Sequence, residues 1–108
     1  DISGTIEALS YEDMQNRDKV PAEYRTYQSG YLVLFHFERT RKINIMSGDG
    51  INCFIQDVNE VYLPEGADLA GRSGQRVTLS FDFSMAYDPT DLEVPFGRIR
   101  AYGVSVVQ

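Results

Sequence analysis

Apolar and polar positions alternate along most of this chain. In "RVTLSFDFSMA", Val77, Leu79, Phe81, Phe83 and Met85 fall on one side and Thr78, Ser80, Asp82 and Ser84 on the other. That is the period of a strand with one face in the core. Burying such a stripe contributes about 1.5 to 3 kcal/mol per large side chain, which fixes the register of the strand. "GTIEAL" alternates in the same way, with Ile6 and Ala8 set against Thr5 and Glu7. "GYLVLFHFE" is almost continuously apolar and rich in Val, Phe and Tyr, which predicts a central strand covered on both faces. "KINIM" places Ile43 and Ile45 on one face, and the short link "RTR" before it predicts a hairpin between these two strands. The last strand is expected to begin at Phe96. There Ile99 and Ala101 point inward, and Arg98, Arg100 and Tyr102 point outward. A bulge at Gly103 would return Val104 and Val106 to the core, since glycine accepts the backbone a bulge needs.

The segments between these strands are more varied. "SGDG" is a turn by its glycines. Phe54, Val58, Val61 and Tyr62 recur at spacings of four, three and one, which predicts a short amphipathic helix ending before Pro64, with a strand over "INCFIQ" as the competing reading. "PEGADLAGRSGQ" reads as a loop with a helical turn at 67–70, and "YDPTDLEVP" as an acidic connection.

Taken in order, "GTIEAL", "GYLVLFHFE", "KINIM", "GQRVTLSFDF" and "FGRIRAYGVSVV", with "CFIQDVNEVYL" as a helix between the third and fourth strands, the chain resembles the oligonucleotide/oligosaccharide-binding (OB) fold. The expected architecture is mainly all-β: a small five-stranded Greek-key OB-like barrel with one short helix, occupying residues 1–108 as a single domain. The resemblance implies a ligand lying across the second and third strands, flanked by the loops that join strands one to two and four to five. The first of those loops, "PAEYRTYQSGY", carries Tyr24, Arg25, Tyr27 and Tyr31, and the turn between strands two and three carries Arg39, Arg41 and Lys42. Rings that stack bases and cations that follow a phosphate backbone are what single-stranded nucleic acid needs. Arg98, Arg100 and Tyr102 on the outer face of the last strand extend that candidate surface. Each group has a plainer reading as well. The tyrosines pack over the barrel end, and the arginines are a solvated face that protects a sheet edge. Asp88, Asp91 and Glu93 in the other flanking loop would repel a phosphate chain.

Charge divides the possibilities further. The 108 residues carry a net charge of −6, which opposes nonspecific attraction to nucleic acid or anionic membranes. The positive charge is local: residues 25–42 sum to +3, whereas residues 43–71 hold five acids and no base. Two functions follow. One is a noncatalytic module binding single-stranded nucleic acid within a larger assembly. The other is an acidic protein-interaction module, an adaptor, inhibitor or structural subunit, that meets a basic protein partner.

No catalytic, metal or cofactor signature stands out. Cys53 is the only cysteine. An intrachain disulfide is therefore excluded, and the residue is expected to be a small buried hydrophobe. His36 has no second His and no nearby Cys, which fits a hydrogen-bonded structural histidine. "DPTDLE" lacks the spacing and glycine of a calcium loop, and "SGDG" lacks the Gly-Lys-Ser/Thr ending of a phosphate loop. The most apolar run, 31–37, is far shorter than the roughly 20 residues that cross a bilayer as a helix. The expected compartment is reducing, cytoplasmic or nuclear, although a chain opening on Asp1 leaves room for a removed targeting segment.

Overall fold

The structure, a computed structural model, describes residues 1–47, 52–82, 86–88 and 98–107. The turn expected at "SGDG" beyond Ser47, the Phe83 and Met85 end of the apolar stripe, and the acidic connection from 89 to 97, with Asp91, Glu93 and Phe96, lie outside the described residues. The fold is mainly β and barrel-like, with one short helix: seven described strands form one curled sheet, a half-barrel. The strands are β1 (Ile2–Ser10), β2 (Tyr31–Ser47), β3 (Cys53–Tyr62), β4 (Arg76–Ser80), β5 (Ala86–Asp88), β6 (Arg100–Ala101) and β7 (Ser105–Val106), and the helix is α1 (Tyr11–Asp18).

The spine is β2. No turn occurs at "RTR": the two strands expected as a hairpin are one strand of 17 residues. Physically, "RTR" offers none of the Gly or Asn positions that a tight turn requires. It forms an irregularity instead. Five steps along β2, from His36 to Arg41, lie opposite only two along β3, from Glu60 to Val58. The surplus residues bend the strand. Its first half pairs with β1, and its far end pairs in parallel with β5 at Met46 and Ser47. β5 pairs with β6, β6 with β3, and β3 returns to β2, so four strands close a ring of pairings that curls the sheet.

The helix expected within "CFIQDVNEVYL" is β3. Opposite Ile45 and Arg41, Phe54 and Val58 face the core as a strand face, and Val61 joins them beside Phe35. The three-residue step from Val58 to Val61, which imitates a helical spacing, is the same register irregularity seen from the other strand. The true helix begins in the first connection, at "SYED". Ser10 caps it by accepting the Asp13 N–H at 3.1 Å, and Glu12 and Asp13 occupy its first turn, where carboxylates oppose the positive helix end. It stops at Lys19, whose φ of 54° is left-handed.

Two apolar clusters result among the described residues. The main one lies inside the half-barrel and joins Ile6, Phe35, Ile45 and Leu79, all with no exposed surface, to Val77 and Ile99. Phe35 packs against Phe37 and Phe81 with ring centroids 5.5 and 5.6 Å away. Gly4 makes room for it, since a Cβ there would sit 2.7 Å from the Phe35 ring. The second cluster, Met14 with Leu32 and Leu34, seats α1 on the back of β2, which explains the double-faced apolar run. The helical turn expected at 67–70 is a 3-10 stretch, Ala67–Arg72. Gly103 has the positive φ, 67°, that a kink needs, and Val104 packs on the core beyond it. Val106 does not return with it: it is exposed on β7. Cys53 is also exposed, because strand alternation that buries Phe54 turns its neighbour outward, beside Met46 on the outer face.

Candidate interaction surface

Residues 20–30 join α1 to β2, and α1 holds them at Val20, Arg25 and Thr26. Gln15, fully buried, donates its Nε2 to the Thr26 carbonyl at 2.7 Å and accepts the Thr26 N–H on Oε1 at 2.7 Å. One side-chain amide thereby does what a neighbouring strand would do for that residue. Arg25 also turns inward, donating Nε to the Val20 carbonyl at 2.9 Å and a guanidinium N–H to Asn16 Oδ1 at 2.7 Å. Buried Val20 pins the start of the segment. Tyr24, Tyr27 and Tyr31 remain exposed at 45%, 75% and 61%. The reading in which these rings pack over the barrel end is therefore overturned. The chain is thus held at Arg25 and Thr26, between Tyr24 and Tyr27, and a ring carried on held backbone loses less entropy when a partner is bound.

The predicted cations are scattered rather than gathered. Arg39, Arg41 and Lys42 are exposed, but midway along β2 instead of at a turn, and Lys42 lies 3.1 Å from Asp57 across the strand pair. Ten steps of strand separate Tyr31 from Arg41, at most about 33 Å at strand rise and less where the strand bends. Arg98 and Arg100 do not form an outer face. Arg100 is buried, 3% exposed, with its guanidinium carbon 5.7 Å from the centre of the Tyr62 ring. Arg98 is 16% exposed at its side chain and bonds Asp18 at 2.6 Å and Glu60. Both the outward and the edge-protecting readings of these two arginines give way to a structural one. Tyr102 is half-buried.

The Arg98 contacts belong to a chain of charges across the back of the sheet. Arg17 of α1 holds both oxygens of Glu7 in β1, at 2.8 and 2.7 Å. The same carboxylate meets His36 Nε2 at 2.7 Å, while His36 Nδ1 lies 3.3 Å from Glu60, which Arg98 ties to Asp18 back on α1. The Arg17 hydrogen bonds, chief among the causes and aided by His36, outweigh partial burial and hold the Glu7 carboxyl down at about 2. With carboxylates against both ring nitrogens, His36 has the hydrogen-bonded structural setting that the sequence suggests. Among the described residues no cluster of His, Cys, Asp or Glu is built to hold a metal ion, and no helix is long and apolar enough to cross a membrane.

The residues that organise this surface, Gln15 and Asn16, carry no signal of their own in the sequence. The one clue is the capping pattern Ser10 to Asp13, which announces a helix in the first connection. No family model, curated protein or solved structure matches the chain.

Proposed function

We propose that this chain is a noncatalytic interaction module that engages a protein partner through Tyr24, Tyr27 and Tyr31. The observation that carries this reading is the combination of three open rings and a backbone clamped by Gln15 and Arg25. Tyrosine is enriched at protein interfaces because it brings large contact area, a polar tip and few torsions to immobilise. A net charge of −6 favours a basic partner. The resemblance to the OB fold lends support as well, since it puts the first connecting loop beside the ligand face.

A second reading, single-stranded nucleic acid on an OB-like barrel, is favoured by the exposed Arg39 and Arg41. It is weakened by the inward commitment of Arg25, Arg98 and Arg100. The two readings separate in a titration of labelled single-stranded oligonucleotide at low salt, where the protein-binding reading expects no saturable binding. Binding that falls with salt by about 0.7 log units per phosphate contact, and is lost with Arg39 and Arg41 replaced by Ser, would install the nucleic-acid reading instead. The protein arm compares capture from an extract of the source cells by the wild type and by the triple Tyr24, Tyr27, Tyr31→Ser variant. A protein retained by the first and lost by the second is expected, and equal recovery would remove the tyrosine surface from consideration.

A further inference from the structure

A cleft of about 340 Å3 opens between residues 63–69, Leu79 of β4 and residues 101–106. Its floor is core: Leu63, Leu69 and Leu79 are buried members of the main cluster, and Val104 packs against them. Its mouth is acidic, with Glu65 and Asp68 among the lining residues, and no Lys, Arg or His is among the described ones. Glu65 is also positioned. One of its oxygens accepts the Gly103 N–H at 2.9 Å, which restrains the carboxylate and leaves it capacity for further donors. An apolar floor rejects a ligand that is polar throughout, and a mouth with two carboxylates rejects an anion. The chemistry that fits both is a cation at the end of a hydrocarbon.

We propose that this cleft binds an aliphatic ammonium group, the tail on Leu69, Val104 and Val106 and the head on Glu65 and Asp68. The volume is that of a small-ligand site, and the negative charge of the whole chain raises the local concentration of such cations. The head contributes charge-assisted hydrogen bonds and the tail contributes apolar burial. A free lipophilic amine and a partner's lysine side chain share this chemistry. The cleft and the tyrosine loop have no residue in common, so this inference stands or falls independently of the proposed function.

The test is amide NMR of the full chain titrated with butyl-, hexyl- and octylammonium, with hexanoate as the length-matched anion. Saturable shifts are expected at Glu65, Leu69 and Val104 with the amines, and hexanoate should fail to saturate. The Glu65→Gln, Asp68→Asn double variant, its fold checked by the same spectra, should weaken hexylammonium about tenfold or more. Tightening that continues through octyl identifies a free lipophilic amine. Near-equal affinities from butyl to octyl, together with binding of a blocked lysine, identify a lysine side chain. No saturable binding of any amine, equal binding of hexanoate, or unchanged affinity in the double variant would overturn the proposal.

Discussion

Two stretches of this chain read alike and fold oppositely. "EYRTYQSGY" and "RIRAY" both interleave arginine with tyrosine, and both look like surface. In the first, the arginine goes in and the tyrosines stay out: Arg25 bonds the backbone of Val20 and the side chain of Asn16, while Tyr24, Tyr27 and Tyr31 face solvent. In the second, both arginines are internal, Arg98 between Asp18 and Glu60 and Arg100 against the Tyr62 ring. The difference lies in what surrounds each segment. Arg98 arrives where α1 and β3 already present carboxylates, and a guanidinium with five donors can satisfy both at once. Residues 20–31 meet no such pair, only a helix whose buried glutamine can hold backbone. An arginine in a sequence is thus a candidate strut as much as a candidate ligand. Acids elsewhere in the chain decide which.

The largest effect expected from this comparison is at Arg98. Replacing it with Ala leaves Asp18 and Glu60 without their shared cation, and truncating one member of a mostly buried ion pair costs about 3 to 5 kcal/mol. Glu60 is 29% exposed at its side chain, which places the expectation near about 3. Arg41→Ala, on the open face of β2, should stay within about 0.5 kcal/mol. Urea unfolding midpoints measure both. Similar values for the two would mean that Arg98 is a surface residue after all and that the two stretches do not differ as described.

Next comes Gln15. Gln15→Ala leaves the Thr26 N–H and C=O without the partner that α1 supplies, and opens a small void in a fully buried site. A loss of about 1 to 2 kcal/mol follows, since Thr26 is exposed and water can take up its backbone groups. The sharper readout is local. The Thr26 amide should lose its protection against hydrogen exchange well before the β2 amides do. Protection retained in the variant would show that the loop is held by something other than this clamp.

Acid titration probes the network that commits the arginines. The Glu7 carboxyl is held at about 2, against an ordinary value of 4.5. A depressed folded value contributes stability that is fully present above about 4.5 and is lost as the pH falls from there through about 2. With the side chain 30% exposed, solvent screening reduces the contribution to about 1 to 2 kcal/mol. Glu7→Gln should therefore lower stability at pH 6 and much less at pH 2.5, narrowing the gap to the wild type. A gap that is constant with pH would mean that Arg17 and His36 do not stabilise the charged form.

Much of the fold was legible from period alone. The alternation at Val77 and Leu79, and the double-faced run from Leu32 to Phe35, place core residues where the structure has them, because burial of large side chains fixes register. What misled was irregularity. The bend between His36 and Arg41 disguised one strand as two, and its counterpart between Val58 and Val61 disguised a strand as a helix. An extra residue in a ladder shifts parity without leaving a local sequence mark. At the candidate site the sequence singles out the three tyrosines but leaves open whether they pack or face solvent, and it misplaces the cations. The exposure of Tyr24, Tyr27 and Tyr31 is decided by how their loop sits on α1, and the fate of Arg98 depends on Asp18, eighty residues away. Such pairings are made by topology, and no spacing rule reaches them.

The smallest expected effect is the one that decides whether the open stretch has a purpose. Tyr27 is 75% exposed and belongs to neither apolar cluster, so Tyr27→Ala should change stability by less than about 0.5 kcal/mol. The same substitution at an interface anchor costs about 2 kcal/mol or more of binding, roughly thirtyfold in affinity. Gln15→Ala and Tyr27→Ala are then opposites. The first destabilises the chain and weakens binding by loosening the loop, whereas the second weakens binding in a protein that unfolds as the wild type does. Affinity for the captured partner, measured beside the thermal midpoint for both variants, separates a recognition surface from a merely well-packed loop. If Tyr27→Ala lowers the midpoint and leaves the affinity alone, the ring is structural, and the contrast between the two arginine–tyrosine stretches is one of packing rather than of function.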